Sequence, residues 1–185
     1  GSKLQSLFCP SMGPHWQAVI DILSSLRKSS AEATEDSKSS SKSSKGKKRK
    51  SLSPSLSALV QVEQVELTRQ ALAAVQVCCT HDADEFVDEE RYSTMMPAVA
   101  SLITVTSPHP DGSYTDFVKS SLGPCLVALT LCVGKDTLWK PLTHNVLMAT
   151  RDSHSVVRSA AVHILHSLFV EVGEEFLVLL PECLP

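Results

Sequence analysis

The sequence has few aromatic residues and no long apolar run. Aromatics make up 5% of the 185 residues, so leucine, valine and alanine must supply most of any core. No run of 18 or more apolar residues occurs, and the segment 122–133 contains Pro124 and is too short to cross a bilayer. No secretory signal is visible. We therefore expect this chain to have no membrane partner.

Motifs of the common enzyme classes are also missing. The chain contains no GxSxG elbow, phosphate-binding loop, glycine-rich dinucleotide turn or HExxH motif. Cys78, Cys79 and His81 have no second Cys/His pair at zinc-finger spacing, so a zinc site is not expected. The acidic cluster 82–90 lacks the glycine and the spaced oxygens of a calcium loop, and it is interpreted as a solvated connector. We predict no enzyme activity, no catalytic or metal-binding residue, no cofactor and no small-molecule substrate.

The cysteines show no paired spacing that would indicate a disulfide framework. Most of them lie in apolar, helix-like segments, which indicates small core residues in a reducing compartment. The six positions are Cys9, Cys78, Cys79, Cys125, Cys132 and Cys183.

What the sequence does contain is helical periodicity, clearest in its last third, 138–185. A broad apolar stripe follows the segment 153–173, and a narrower one precedes it. Such spacing is typical of amphipathic helices, whereas a strand would alternate every second residue. Because only Asp152–Ser153 separates the two segments, they should form an antiparallel hairpin. The first stripe holds Leu138, Leu142, Val146, Leu147 and Thr150, and the second holds Val156, Val157, Ala160, Ala161, Ile164, Leu165, Leu168 and Phe169.

The hairpin turn has a pattern that is common in HEAT-type helix pairs. We expect Asp152 to accept hydrogen bonds from backbone N–H groups and Arg158 to tie the turn to a neighbouring helix. Ser153 is expected to cap the second helix and Gly173 to follow its end. A third helix should open within 174–185, where Pro181 is assigned a structural role in the repeat. The apolar face of 176–184 should lack its full cover.

The earlier chain predicts more helices around one polar insert. Helices are expected from about 14 to 28, from about 56 to 79 with a break near 64–67, from 91 to 106 and from 114 to 133. The second of these has the stripe Leu59, Val62, Val65, Leu67, Leu72, Val75 and Val77, and the last packs Phe117, Val118, Leu122, Leu126, Leu129 and Leu131.

The sequence predicts about seven helices in total and no strand. The predicted fold class is therefore all-α, a HEAT/ARM-like α-solenoid of antiparallel helix pairs. Residues 1–28 form a helical repeat piece, 29–54 a disordered basic Ser/Lys-rich insert, and 55–185 further HEAT-like repeats. The chain starts without Met and stops inside an apolar segment. We expect it to be a piece of a longer protein, cut within a repeat at its C-terminal end.

The insert concentrates positive charge in an acidic protein. Seven of the 17 basic residues lie in 38–50 without any acid, so the rest of the chain carries ten basic and 20 acidic residues, a net charge of −10. The run Lys45, Lys47, Lys48, Arg49 and Lys50 suits nuclear import receptors or a nucleic-acid backbone. A solvated charge run without a partner is the alternative.

Two serines beside this run are candidate phosphorylation sites, Ser51 and Ser53. Ser53 precedes Pro54, which is the arrangement of a proline-directed site. Phosphates at these positions would weaken the local positive charge.

Three motifs carry a resemblance to a known family. They are LWKPL at 138–142, the step Arg151, Ser153, Val157, Arg158, and GEEFLVLLPE at 173–182. With them the chain resembles the C-terminal region of the HEAT repeat-containing protein 1 family, the large nucleolar HEAT-repeat proteins of the small-subunit processome. The resemblance is specific over 117–185 and weaker over 56–107.

The resemblance implies a scaffold in the nucleus and nucleolus that acts in early ribosome assembly. It implies processing of small-subunit ribosomal RNA and support of ribosomal DNA transcription by RNA polymerase I. The partners implied are other processome proteins and pre-ribosomal or small nucleolar RNA, directly or through the particle. A different nuclear HEAT/ARM adaptor, such as an import or chromatin factor, and a direct RNA binder acting through the basic insert remain alternatives.

Overall fold

The computed structural model describes residues 12–36, 54–82, 85–107, 109, 112–174 and 176, and all regular structure in these ranges is helical. The absence of strands from this part of the chain agrees with the all-α prediction. The helices are α1 (Trp16–Asp36, after a 3₁₀ turn at Gly13–His15), α2 (Pro54–Thr80), α3 (Glu89–Ser101), α4 (Ser113–Val133), α5 (Asp136–Ala149) and α6 (Ser155–Val172).

The helices stack as three successive pairs. α1 packs on α2, α3 on α4, and α5 on α6. Each first helix also contacts the next first helix, and each second helix contacts the next second helix. Two hydrogen bonds show that α2 and α4 run parallel. Arg69 in the middle of α2 donates to Ser120 near the start of α4, and Asp82 just after α2 accepts from Cys132 near the end of α4. This repeating arrangement confirms the predicted α-solenoid of helix pairs.

One continuous apolar core fills the space between the two layers of helices. Each of the three pairs contributes fully buried side chains, among them Leu23, Leu72, Met95, Leu126, Leu142 and Ile164. Three threonines are also buried, and each donates its hydroxyl to the carbonyl four residues earlier: Thr68 to Gln64, Thr130 to Leu126 and Thr143 to Trp139. The core therefore includes these polar groups without leaving their hydroxyls unpaired.

The first helix is longer than predicted. α1 continues to Asp36, eight residues past its predicted end at residue 28. The segment 29–36 contains Ala31, Glu32 and Ala33 and neither glycine nor proline, so its local preference favours extending the helix. Residues 37–53 lie outside the described part of the chain, and the basic run Lys45–Lys50 and both serines, Ser51 and Ser53, fall there.

Helix α2 is continuous, so the predicted break near 64–67 is wrong. Its buried face combines large and small residues at the 3.6-residue period, namely Val65, Thr68, Ala71, Leu72, Val75, Cys78 and Cys79. Val62, Leu67 and Val77 were predicted to lie on this face, but they are about half exposed. A stripe chosen by hydrophobicity alone misses Thr68 and Ala71. These residues suit the buried face because their small side chains let the neighbouring helix approach closely.

Helices α3 and α4 also differ from their predicted forms. α3 ends at Ser101 and continues as a 3₁₀ turn, Leu102–Thr104. α4 contains a π-helical segment, Val118–Leu122, before its regular part, Gly123–Val133. Leu131 was predicted to pack in the core, but it is 49% exposed.

Two helices in the described part of the chain, α4 and α6, are long and apolar enough to cross a bilayer. The sequence indicated no such segment because polar residues interrupt both apolar runs. Each of the two helices packs against others in the stack, and a core helix has the same length and composition. These two helices are therefore weak evidence for a membrane span.

The end of the hairpin is closed by an aromatic side chain. Gly173 ends α6 with φ of 74°, a conformation that favours glycine. Phe176 follows and is fully buried, with its ring 4.9 Å from that of Phe169 and 6.1 Å from that of Trp139. The prediction that the apolar face lacks cover is thus wrong at Phe176. The expected third helix and Pro181 lie outside the described residues, apart from residues 173, 174 and 176, which have 3₁₀ conformation.

Candidate binding groove

A groove of about 640 Å³ runs along the layer of second helices. Each pair of the stack contributes one side of it. One wall comes from α2 (Gln76, Cys79 and Thr80), the floor from α4 (Pro124, Val127, Ala128 and Leu131), and the opposite wall from α6 (His163, Ser167 and Glu171).

The floor of the groove is apolar and its edges are polar. Leu131 lies on the floor and is about half exposed. Lys119 lies on the groove lining together with two carboxylates, Asp82 and Glu171. An apolar floor with polar walls is the arrangement of many protein-binding clefts, in which an apolar side chain is buried and polar groups fix its orientation.

Asp82 organises the end of the groove next to α2. Its carboxylate accepts hydrogen bonds from the backbone N–H groups of Phe86 and Val87, at 2.8 and 2.7 Å. The thiol of Cys132 also donates to it, at 3.5 Å. Asp82 was predicted to belong to a solvated acidic connector, and the structure gives it a specific role in holding that connector against α4.

A second acid of the same cluster begins helix α3. Asp88 is the N-cap residue, and its carboxylate accepts from the backbone N–H of Arg91 at 2.8 Å. The Arg91 guanidinium pairs with the same carboxylate at 2.8 Å and lies 4.5 Å from the centre of the Phe86 ring. The sequence signal for this cap was present, since an aspartate directly preceded an acidic first turn.

The hairpin turn holds Asp152 and Arg158 close together. Asp152 Oδ1 accepts from the backbone N–H of His154 at 2.8 Å, and this bond keeps the pKa of the Asp152 carboxyl below its usual range. Arg158 Nη1 donates to the carbonyls of Asp152 at 2.9 Å and Ser153 at 2.8 Å. Arg158 therefore ties the turn to its own helix, α6, and not to a neighbouring helix as predicted. Ser153 does not cap α6, whose N-cap residue is His154.

An arginine contact that sequence reasoning missed joins α2 to α4. Arg69 Nη1 donates to the hydroxyls of Ser120 at 2.9 Å and Ser121 at 3.2 Å, and the guanidinium lies 5.3 Å from the centre of the Phe117 ring. The two partners lie 51 positions apart in sequence, so no local pattern could have indicated the contact.

None of the described cysteines is in a disulfide. Cys78, Cys79 and Cys125 are buried, whereas Cys132 is partly exposed and lines the groove. Within the described ranges, no group of three or more His, Cys, Asp or Glu side chains is arranged to hold a metal ion.

Stacked antiparallel pairs with a groove across their second helices define the class of this protein: it is a helical-repeat protein of the α-solenoid type. No family model matches the sequence. Comparison with individual curated proteins gives a more particular relationship.

The chain is 32% identical over 114 residues to the HEAT repeat-containing protein 1 homolog of Dictyostelium discoideum, covering 62% of this chain and 5% of that protein. It is 34% identical over 105 residues to HEAT repeat-containing protein 1 of Homo sapiens, covering 56% and 5%. The homolog of Drosophila melanogaster is 23% identical over 135 residues, covering 73% and 6%. These matches confirm the resemblance to HEAT repeat-containing protein 1. The chain spans about a twentieth of the length of these three relatives.

Proposed function

We propose that the chain is part of a non-enzymatic nucleolar scaffold of the small-subunit processome, acting in ribosome biogenesis. Two features support the proposal: the similarity to HEAT repeat-containing protein 1 and the stacked helix pairs, which offer an extended surface for other proteins. In this role the scaffold serves the processing of small-subunit ribosomal RNA and supports transcription of ribosomal DNA by RNA polymerase I. Its partners are processome proteins and, directly or through the particle, pre-ribosomal or small nucleolar RNA.

The groove across α2, α4 and α6 is the observation that carries the binding role. Its three sides come from three different pairs, so a bound segment would contact several repeats at once. Leu131 is the apolar residue at its floor that a partner can bury, and it contributes little to the core because it is half-exposed. A substitution at this residue can therefore weaken partner binding without unfolding the stack.

A pair of matched variants tests the proposal in the full-length protein. Leu131→Glu places a charge on the groove floor, whereas Met148→Glu places the same charge on α5, beside a different concavity, at a residue that is 55% exposed. We expect Leu131→Glu to reduce co-purification of processome proteins at least tenfold and to cause unprocessed small-subunit precursor RNA to accumulate. Met148→Glu should behave like the unsubstituted protein.

Two results would contradict parts of this proposal. Equal co-purification by both variants, each with an unchanged melting temperature, would remove the groove as the binding surface. Localisation of the full-length protein outside the nucleolus would favour a different nuclear adaptor, such as an import or chromatin factor.

A direct RNA-binding role through residues 38–50 is the second candidate. The seven positive charges of this segment favour it, because the rest of the chain has a net charge of −10 and would repel a phosphate backbone. If all seven charges contacted single-stranded RNA, deleting the segment would reduce the slope of log affinity against log salt by about 5. Binding measured by fluorescence anisotropy at several salt concentrations decides between the two candidates. An unchanged affinity and slope after the deletion would exclude direct binding through this segment.

A further inference from the structure

Two cysteine side chains line the groove where α2 packs beside α4. Cys79 lies one residue before the end of α2, and Cys132 lies one residue before the end of α4. Both side chains line the groove, and the Cys132 thiol lies 3.5 Å from Oδ2 of Asp82, which follows Cys79 by three residues. Cys79 is buried, whereas Cys132 is partly exposed, so reagents in solvent reach the pair at Cys132.

We propose that Cys79 and Cys132 are a thiol modification site, at which a low-molecular-weight disulfide oxidises the pair to a reversible disulfide joining two adjacent repeats. The other two described cysteines provide the contrast. Cys78 and Cys125 are fully buried and do not line the groove, so a reagent that enters the groove does not reach them. A reagent in the groove therefore reacts with the cysteines that line it and not with the other described cysteines.

The reaction proceeds by two thiol–disulfide exchanges. Cys132 loses its proton to solvent, and the thiolate attacks one sulfur of the reagent. The S–S bond of the reagent breaks, one thiolate leaves and takes up a proton, and a mixed disulfide forms on Cys132. Cys79 then loses its proton and attacks the Cys132 sulfur, which releases the second thiol. The two cysteines lose two electrons in total, and the reagent is reduced to two thiols.

The surroundings decide the order of these steps. The neighbouring Cys132 thiol and burial raise the pKa of the Cys79 thiol, so Cys79 is a poor first nucleophile toward a reagent in solution. It is well placed as the second one, because both cysteines line the same groove and each lies one residue before the end of its helix. The overall reaction should therefore speed up as the pH rises.

A disulfide here would fix α2 and α4 relative to each other at one end of the groove. It would close a large loop, since the two cysteines are far apart in sequence, and closing a large loop strongly restricts the unfolded chain. We expect oxidation to raise the melting temperature by several degrees. This inference concerns the groove wall and does not depend on which partner the groove binds.

The test is oxidation of the purified chain with oxidised glutathione, followed by non-reducing peptide mapping by mass spectrometry. We expect one linked peptide pair containing Cys79 and Cys132, reversal by dithiothreitol, and the same link in a Cys125→Ala control. Cys132→Ser should give no link and no rise in melting temperature on oxidation, while its circular dichroism stays that of the unsubstituted chain.

The mapping of the unsubstituted chain is decisive, because it needs no variant to fold. A glutathione adduct at Cys132 that never resolves to a link would show that the two sulfurs cannot meet in bonding geometry, and the proposal would be wrong. It would equally be overturned by no reaction at all, or by links that use any other cysteine.

Discussion

Arg158→Ala tests whether the hairpin turn is a structural element of the repeat. The substitution removes two hydrogen bonds, from Nη1 to the carbonyls of Asp152 and Ser153 at 2.9 and 2.8 Å. The backbone bond from the Arg158 N–H to the His154 carbonyl remains. The variant therefore isolates the contribution of the guanidinium group to the turn.

The expected loss of stability is modest because the guanidinium is exposed. A hydrogen bond from a charged donor at an exposed position contributes about 0.5–1 kcal/mol, so two bonds contribute about 1–2 kcal/mol. Two effects offset part of this loss. Arg158 is the fourth residue of α6, where the helix dipole disfavours a cation by about 0.3–1 kcal/mol, and alanine is the better helix former. The net destabilisation should be about 1 kcal/mol, which lowers the melting temperature by about 2–4 °C.

The assay is thermal and urea unfolding followed by circular dichroism, with Arg151→Ala as the matched control. Arg151 is an exposed arginine beside the same turn, and no ion pair or side-chain hydrogen bond involves it in the described part of the chain. We expect Arg151→Ala to leave the melting temperature unchanged. Partner binding by Arg158→Ala, measured well below its melting temperature, should be that of the unsubstituted protein.

Two outcomes would refute this reasoning. If Arg158→Ala melted at the same temperature as Arg151→Ala, the two bonds would contribute nothing to folding. If Arg158→Ala remained fully folded but lost partner binding, Arg158 would be a binding residue and not a structural one.

Two further predictions concern the core and the pH dependence of stability. Leu126→Ala should lower the free energy of unfolding by about 2–5 kcal/mol, because Leu126 is fully buried. Leu131→Ala on the same helix should lower it by less than about 1 kcal/mol. Urea titrations that give equal losses would contradict the assignment of Leu131 to the groove. Burial and the nearby Arg69 guanidinium lower the pKa of His109 to about 4. As the pH falls, His109 is therefore protonated in the unfolded chain before it is protonated in the folded one. The free energy of unfolding should fall as the pH drops from about 6.5 toward 4. His109→Phe should lose less stability over this range in urea unfolding, and an equal loss in both proteins would show that His109 is not responsible.

The boundaries of the closing hairpin followed from the sequence because local signals are strong there. A short polar turn, two apolar stripes and a glycine after the second helix fix where the chain must reverse. The prediction of core residues was wrong where the hydrophobicity of a residue and its position in the packed structure disagree. Leu67 looked like a core residue by hydrophobicity, yet the neighbouring helices contact α2 along the line of Thr68 and Ala71. The prediction that Leu131 packs in the core was wrong for the same reason, since α4 has helices on several sides but a groove along one.

The sequence by itself therefore determined the helical class, the approximate position of most of the described helices and the hairpin that carries the family resemblance. These features depend on the 3.6-residue period and on turn chemistry, which act over a few neighbouring residues. Only the tertiary structure decided which apolar side chains face solvent, and only stacking created the groove. The Arg69 contact with the α4 serines and the placement of Cys79 and Cys132 on one groove likewise required the fold. Both features involve residues far apart in the chain, and only the parallel packing of α2 beside α4 brings them together.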